Sequence, residues 1–464
     1  MKNIAQTKFY SEAKSLSKLA WPIIIAQVAG MLMGVIDTVM AGQVSANDLA
    51  AVSLGTGVWV ILFFSSLGVV SAVGPMVAHA FGAKEYKEVT NLSHHGIFLS
   101  FCLGIPVALI LFFGHPILTW TGAAPETVAI TDLFMKGIAI GTPFGLMFRS
   151  LGFYSSSVSQ TRPVMVLGIL GLLLNIPLNL VFIYGYFGVP AMGGAGCGWA
   201  SGLIMIISAL VMSLYTLKSK KYAQFRPFAS HWHVNWSIFG QMCKLGLPTG
   251  GAYLVEVSAF SGTTLLVAPL GAASIGGHQI MLNLSALTFM LPMGVGLAMS
   301  VRIGQQLGAG QPKAARYSSK VGLLMGIFCG LCSCTLMLTM GKSIIALYSP
   351  DQTVQMVAST LLVFAASFQV FDAIQVCAAS ALRGYKISSL PLIAMVIAFW
   401  CFALPFGCWI GLHPDWLNFS SDWAPLGVKG LWISLVLGLG IAATILLIAL
   451  NKVSKNTIAD AANP

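Results

Sequence analysis

Charged residues are scarce in this chain of 464 residues, because only 8% are Asp, Glu, Lys or Arg whereas 57% are hydrophobic. A soluble protein has about 25% charged residues, so soluble enzymes, disordered scaffolds and small secreted proteins are excluded. The chain has instead a series of continuously apolar runs of about 20 residues, the length that crosses a bilayer as an α-helix. Lipid-facing β-barrel strands would alternate apolar and polar residues. The expected fold class is therefore an all-α membrane protein.

The sequence also lacks a disulfide framework and a catalytic motif. Its nine cysteines are an odd number and all lie in or beside apolar runs; the close spacing of Cys329, Cys332 and Cys334 indicates core packing rather than a zinc site. Neither HExxH nor G-x-S-x-G occurs, and the glycine-rich run at 193–198 follows no predicted strand. We expect no enzyme activity and no organic cofactor.

Twelve transmembrane helices are predicted from the apolar runs. Their expected ranges are 19–40, 50–77, 93–114, 129–150, 163–186, 194–216, 242–267, 276–301, 321–347, 354–382, 388–411 and 428–450.

The basic residues predict the orientation of these spans. Twenty-one Lys and Arg residues, Arg149 among them, fall in one set of alternating gaps, and only Lys342 and Lys429 fall in the other. By the positive-inside rule both termini are cytoplasmic, in a bacterial inner membrane. The net charge of +11 thus reports topology, and we expect membrane lipid rather than nucleic acid around the chain.

An internal repeat divides the chain into two pseudo-symmetric six-helix lobes. A single ungapped shift aligns Leu19-Ala-Trp-Pro22 with Leu245-Gly-Leu-Pro248 and Gly82-Ala83 with Gly308-Ala309. Six spans per half is an even number, so the two halves are parallel and fit an alternating-access transporter. The expected domains are a cytoplasmic segment 1–18, a lobe 19–216, a cytoplasmic linker 217–240, a lobe 241–450 and a cytoplasmic tail 451–464. The first segment is either an amphipathic helix on the inner surface or a solvated basic tail.

Three acids lie within apolar spans, where burial of a charge costs several kcal/mol: Asp37, Glu256 and Asp372. No Lys or Arg lies in the interior of the same spans, so these side chains must face a cavity, bind a cation or carry a proton. The alternative is a protonated carboxyl group that hydrogen-bonds to a neighbouring helix.

Neutral polar residues accompany these acids. Asn175 and Asn179 are four residues apart around Pro177, so their amide oxygens and a freed carbonyl can bind a hard cation, or the amides can join helices. His278, Gln279 and Asn283 are candidates to line the same cavity, although a single His is more often a packing residue. Abundant Phe and Met suit flat organic cations.

The motifs VIDTVMAG at Asp37, LLLNIPLN at Asn175, LLVAPLG after Glu256 and FDAIQV at Asp372 resemble the multidrug and toxic compound extrusion (MATE) transporters of the NorM-type branch. The resemblance implies twelve helices in two lobes, export of organic cations and energy from inward Na⁺ or H⁺. It gives a cation- or drug-binding role to five residues: Asp37, Asn175, Asn179, Glu256 and Asp372. Relatives often have tyrosine four residues before the second-lobe aspartate, where this chain has Phe368.

The function expected is a cation-coupled efflux antiporter for small organic cations, such as dyes and drugs, that works as a monomer. Na⁺ is favoured over H⁺, bound at Glu256, Asp372 or Asp37, because the acids and their neighbouring oxygens form a cation shell. The alternative is a flippase-like exporter of a lipid-linked or other amphiphilic substrate. Such a protein would need a basic cavity, and the acids that are buried here argue against it.

Overall fold

The computed structural model describes residues 2–119, 122–228, 234–412 and 425–462, and these ranges contain helices and turns but no β-strand. The α-helices are α1 Lys2–Val44, α2 Ala46–Val70, α3 Val73–Gly82, α4 Tyr86–Phe112, α5 His115–Thr119, α6 Pro125–Ser157, α7 Arg162–Tyr184, α8 Gly196–Lys218, α9 Trp236–Val267, α10 Ala272–Gly308, α11 Pro312–Tyr348, α12 Gln352–Gly384, α13 Ser389–Met395, α14 Leu404–Leu412 and α15 Val428–Ala462. A π-helical segment, Val396–Ala403, joins α13 to α14.

Eleven helical segments of the described residues are long and apolar enough to cross a membrane. The remaining predicted span, 129–150, lies in α6, which has 33 residues but also contains Asp132, Lys136 and Arg149, and these charges lower its mean hydropathy. The all-α membrane fold class predicted from the sequence is confirmed.

Several helices extend beyond the apolar runs that predicted them. Helix α1 begins at Lys2, so the expected segment 1–18 and the first span form one continuous helix. Helix α6 continues to Ser157, which places Arg149 inside a helix and not in a loop, where the charge count had assigned it. The end of an apolar run and the end of a helix differ because the backbone hydrogen bonds of a helix continue through polar residues.

The chain forms two compact units, which we call the N-lobe, Trp21–Gly250, and the C-lobe, Met1–Ala20 with Gly251–Pro464. These limits differ from the expected lobes 19–216 and 241–450, since both boundaries fall inside a continuous helix, α1 or α9.

Helix α6 lies at the centre of the N-lobe, where it packs against α2, α4 and α8. Glycines permit the contact with α8, because a Cβ atom added at Gly141 would overlap the backbone of Gly202. The part of the expected linker that directly follows α8 also folds onto this lobe: Tyr222 and Phe225 are buried, and the Tyr154 hydroxyl donates to the Phe225 carbonyl at 2.6 Å. The residues after α8 therefore belong to the N-lobe core rather than to a separate linker.

Helix α12 has the equivalent central position in the C-lobe, between α10, α11 and α15. The beginning of α1 joins this lobe through Glu12, whose carboxylate accepts hydrogen bonds from Arg302 Nε at 2.9 Å, Arg302 Nη2 at 3.0 Å and Ser318 Oγ at 2.6 Å. The start of α1 therefore packs as a helix of the C-lobe rather than as a solvated tail.

The structure reproduces the sequence repeat in its turns. Helix α3 ends in a turn in which Glu85 N donates to Ala80 O, and α10 ends in a turn in which Gln311 N donates to Gln306 O, at the positions that the repeat pairs with Glu85 and Ala80. Each turn includes a residue with left-handed backbone geometry, Lys84 with φ 62° and Gly310 with φ 68°. Helices α6 and α12 likewise both have 33 residues.

Candidate functional site

The N-lobe brings together the polar residues that the sequence predicted in its apolar spans. Asp37 on α1 is buried and accepts hydrogen bonds at Oδ1 from Asn175 Nδ2 at 2.9 Å and Asn179 Nδ2 at 2.7 Å, both on α7. Its Oδ2 accepts from Ser201 Oγ on α8 at 2.9 Å. Three helices thus converge on one carboxylate.

The orientation of the two amides differs from the sequence expectation. Asn175 and Asn179 turn their nitrogens, not their oxygens, toward Asp37, because a carboxylate accepts hydrogen bonds and has none to donate. Asn179 Nδ2 also donates to Asn175 Oδ1 at 3.3 Å, and Asn179 Oδ1 has no partner within the described residues. The cluster therefore stabilises a carboxylate more directly than it presents oxygens to a metal ion.

Asp37 lies on the wall of a cavity of about 180 Å³ inside the N-lobe. Six of its 21 lining residues have aromatic or thioether side chains: Trp59, Phe63, Phe134, Phe148, Met33 and Met205. Trp59 and Phe63 stack with ring centroids 4.5 Å apart, and Trp59 Nε1 donates to Thr142 Oγ1 at 3.1 Å, which fixes the indole ring. Such a wall offers π faces and adaptable sulfur atoms beside one carboxylate.

The C-lobe holds the other two acids. Asp372 on α12 is buried, and its Oδ1 has no hydrogen-bond partner within the described residues. Glu256 on α9 is half-buried. A negative charge on Glu256 disfavours a negative charge on Asp372, and the positive charge of Arg383 favours a negative charge on Glu256. Two carboxylates that interact in an apolar lobe need a proton or a cation to offset their burial.

Two further polar residues of the C-lobe have buried atoms without a partner among the described residues. Gln369 precedes Asp372 by one helical turn, and its Nε2 donates to the Ser285 carbonyl on α10 at 3.5 Å. Gln369 Oε1 and Ser285 Oγ are, like Asp372 Oδ1, buried atoms for which the described part of the chain supplies no partner. The same region of the C-lobe thus contains three unpartnered oxygen atoms.

His278 and Phe368, which were predicted to line the cavity, pack against other side chains of the C-lobe. His278 is fully buried; its Nδ1 accepts from Trp432 Nε1 at 3.1 Å, so Nε2 carries the proton and lies 3.2 Å from Thr264 Oγ1. Phe368 is buried against Phe260 and Trp432. His278 is thus a packing residue and Phe368 an apolar one.

Gln279 is exposed and Asn283 half-buried. Among the described residues, no hydrogen bond joins either side chain to Glu256 or Asp372.

Sequence reasoning did not identify Ser201, Gln369, Ser285 or Arg149, which also lines the N-lobe cavity. A polar residue in an apolar span was the available signal, but many span serines only bond the carbonyl four residues earlier, as Ser213 does.

No three His, Cys, Asp or Glu side chains of the described residues are grouped so that they can hold a metal ion. A cation at Asp372 therefore needs amide, hydroxyl or carbonyl oxygens as well.

Comparison with known proteins gives the family. The MatE family model matches residues 22–181 and 248–409, two segments whose first residues, Pro22 and Pro248, are paired by the repeat. The chain is 40% identical to the multidrug resistance protein PmpM of Pseudomonas aeruginosa, over 97% of this chain and 93% of that protein. It is 37% identical to the multidrug resistance protein NorM of Vibrio cholerae, over 95% of each.

Solved structures agree in fold. The eukaryotic MATE transporter AtDTX14 superposes with a TM-score of 0.84 at 20% identity, covering 98% of this chain and 99% of that one. An outward-facing multidrug resistance MATE family transporter gives 0.85 at 19% identity, covering 96% of each chain. The resemblance seen in the sequence motifs is confirmed, and the chain belongs to the MatE family of membrane transport proteins, in its NorM-type branch.

Proposed function

We propose that this protein is a multidrug efflux antiporter that exports organic cations by alternating access in exchange for an inward-moving cation. The observation that carries the proposal is Asp37, a buried carboxylate on the wall of an aromatic cavity. Its three donors are neutral amides and a hydroxyl, and no ion pair of the described residues includes it. A bound organic cation supplies the missing positive charge. PmpM and NorM are both named multidrug resistance proteins, which supports drug export.

The cavity lining explains a broad substrate range. Its volume of about 180 Å³ is smaller than the roughly 300–1000 Å³ of drug-sized pockets, so larger substrates require it to widen. Met33 and Met205 supply that adaptability, since methionine has several rotatable bonds and no fixed hydrogen-bond geometry. Trp59 and Phe63 contribute cation–π contacts whose energy depends little on substrate shape.

The coupling ion is assigned to the C-lobe. The inside-negative membrane potential opposes export of a monocation by about 2.3 kcal/mol per 100 mV, so one inward monovalent ion offsets the electrical cost and its chemical gradient drives net export. Inward movement of either Na⁺ or H⁺ can supply this free energy. A proton needs a single carboxylate, whereas Na⁺ needs several oxygens at once.

Na⁺ is the ion that the arrangement around Asp372 favours. Asp372 Oδ1, Gln369 Oε1 and Ser285 Oγ are three buried oxygen atoms without a partner among the described residues, which is costly unless a cation binds them. Gln369 and Ser285 stand in for the hydroxyl that is absent at Phe368. We propose that Na⁺ binds there with Glu256 nearby, that it favours the conformation that releases the drug, and that it leaves to the cytoplasm.

We propose that the protein works as a monomer in a bacterial inner membrane, with both termini in the cytoplasm. Cysteines introduced at positions 84 and 313 should resist impermeant thiol reagents in intact cells, and those at positions 45 and 272 should react. The reverse pattern would overturn the orientation and with it the direction of transport.

The test of the function is reconstitution in proteoliposomes. An imposed inward Na⁺ gradient at equal pH on both sides should drive an ethidium-like dye outward, and collapse of the gradient should stop it. Export driven only by a pH gradient would make H⁺ the coupling ion. Export that follows neither gradient would overturn the antiport proposal.

A further inference from the structure

The glycine-rich run at 193–198 leads from a short turn into the first residues of α8. A Cβ atom added at Gly193 would lie 2.7 Å from Asp48 Oδ1, and one added at Gly194 would lie 2.8 Å from Asp48 Cβ. Because side-chain atoms do not approach one another so closely, only glycine at both positions lets the backbone reach the Asp48 side chain. These two glycines are therefore explained by the approach of one carboxylate from α2.

Asp48 is buried in the first turn of α2, and both of its carboxylate oxygens accept hydrogen bonds. Its Oδ1 accepts from the backbone N–H of Gly194 at 2.6 Å, and its Oδ2 accepts from Ser45 Oγ at 2.6 Å. The Ser45 hydroxyl also caps α2, because it accepts from Asp48 N at 3.0 Å. Asp48 thus ties the beginning of α8 to the beginning of α2.

The first turns of α8 carry the side chains that contact Asp37 from this helix. Cys197 Sγ donates to the Asp37 carbonyl at 3.5 Å, and Ser201 Oγ donates to Asp37 Oδ2 at 2.9 Å. These two residues are three and seven positions after Gly194, so all three lie on one side of the helix. Seven residues correspond to about 10 Å along the axis. A rotation or a shift at the beginning of α8 would therefore move Ser201 away from Asp37.

We propose that Asp48 is a positioning residue for the organic-cation site, because its bond to Gly194 fixes the height and the rotation of α8 at which Ser201 donates to Asp37. The proposal rests on the proposed function and deepens it, since it names a residue that acts on the same site from another helix. The described residues that line the cavity do not include Asp48, so its effect on binding is indirect. Without Asp48, the buried N–H of Gly194 would lose its acceptor, and α8 would shift to regain one.

The experiment is a double-mutant cycle on the affinity for ethidium. The Kd is measured by calorimetry on the purified full-length protein without Na⁺. Asp48→Ala should weaken binding roughly three- to fivefold. The same substitution in the Ser201→Ala variant should cause no further loss, because its effect passes through Ser201. A residue that only stabilises the fold would lower the Tm and leave the Kd unchanged, so the cycle separates the two roles.

Two variants near this contact serve as comparisons. Asp48→Asn keeps an oxygen that accepts from Gly194 N, so it should bind ethidium as the wild type does. Glu126→Ala removes an equal charge from an exposed carboxylate that accepts from Asn47 Nδ2 at 3.0 Å, one residue before Asp48, and it should also leave the Kd unchanged. If Asp48→Ala does not fold, Gly194→Ala takes its place, since its added Cβ atom displaces Asp48.

Wild-type affinity in folded Asp48→Ala, or a further loss of the same size in the double variant, overturns this inference alone. An equal loss in Asp48→Asn also overturns it, because the charge and not the hydrogen bond would then be the cause. If the wild type does not bind ethidium, the proposed function fails, and this inference fails with it.

Discussion

The two lobes hold their buried carboxylates in different ways. Asp37 in the N-lobe has both oxygens occupied, by Asn175, Asn179 and Ser201. Asp372 in the C-lobe has an oxygen without a described partner and interacts with a second acid, Glu256. Neutral donors let a carboxylate remain charged in an apolar region, whereas a bare oxygen beside another acid favours the arrival of a cation. On the proposed function, the substrate binds at the first site and the coupling ion at the second.

The largest effect is expected when the C-lobe charge is removed. Asp372→Asn and Glu256→Gln keep the shape of the side chains, yet each should lower Na⁺-driven export by roughly 100-fold or more, because the coupling ion loses its counter-charge. Binding of an organic cation to the purified protein should persist, since Asp37 is intact. Export is measured in proteoliposomes and folding by size-exclusion chromatography.

Asp351→Asn is the matched control for this pair. Asp351 caps the beginning of α12 outside the apolar spans, and hydrogen bonds from the Thr353 side chain and backbone lower its pKa. The amide of the variant still accepts the capping bond, so export should be retained. Full export by both Asp372→Asn and Glu256→Gln would remove the ion-binding role from the C-lobe.

A smaller effect is expected from the donors of the N-lobe site. Asn179→Leu should weaken binding of an organic cation roughly tenfold and Ser201→Ala somewhat less, because each removes a hydrogen bond to a charged acceptor. The Na⁺ concentration for half-maximal export should not change. Ser213→Ala on the same helix, where the hydroxyl bonds only the Ala209 carbonyl, is the control. A shift in Na⁺ dependence with unaltered drug affinity would reverse the assignment of the two lobes.

The converse variant tests the C-lobe oxygens. Gln369→Leu removes one of the three unpartnered oxygens and should raise the Na⁺ concentration for half-maximal export roughly three- to tenfold, with Ser285→Ala giving less. Drug affinity measured without Na⁺ should stay constant. An unaltered Na⁺ response in both variants would show that these oxygens do not bind the coupling ion.

The smallest effect concerns the repeated turn. Lys84 has left-handed geometry where its counterpart in the C-lobe is Gly310. Lys84→Gly should raise the free energy of unfolding by about 1 kcal/mol, and Gly310→Lys should lower it similarly, since a Cβ atom at Gly310 meets no neighbour within 4 Å and only the backbone strain remains. Thermal unfolding measures both. Equal shifts of the same sign would contradict the equivalence of the two turns.

Composition and periodicity were enough to predict the all-α membrane fold. The sequence repeat also reappears, in paired turns and in helices of equal length. Helix ends were not predictable to the residue. Lys14 and Lys18 indicated a separate segment before the first span, but Glu12 pairs with Arg302, a residue that is remote in sequence.

The residues that surround Asp37 were easier to predict than the direction of their hydrogen bonds. Asp37, Asn175 and Asn179 were grouped in advance because they interrupt apolar runs, but the direction of the amides depends on the acid that they face. Arg149 was assigned to a loop, since hydropathy alone does not show whether a cation near the end of a span faces water or a cavity. The packing role of His278 was not predictable either, because the hydrogen bond that holds its ring comes from Trp432, 154 residues away.

The attachment of Glu12 to the C-lobe has a consequence for synthesis. Its partner Arg302 follows it by 290 residues, and Ser318 by 306. At a translation rate of about 5–20 residues per second, the start of α1 waits roughly 15–60 s at the ribosome before the residues that bind it exist. During that interval the nascent chain contains a helix with an uncompensated acid. The start of α1 is therefore among the last segments of the C-lobe to reach its native contacts, although it is made long before its partners, and it depends on the synthesis of α10 and α11.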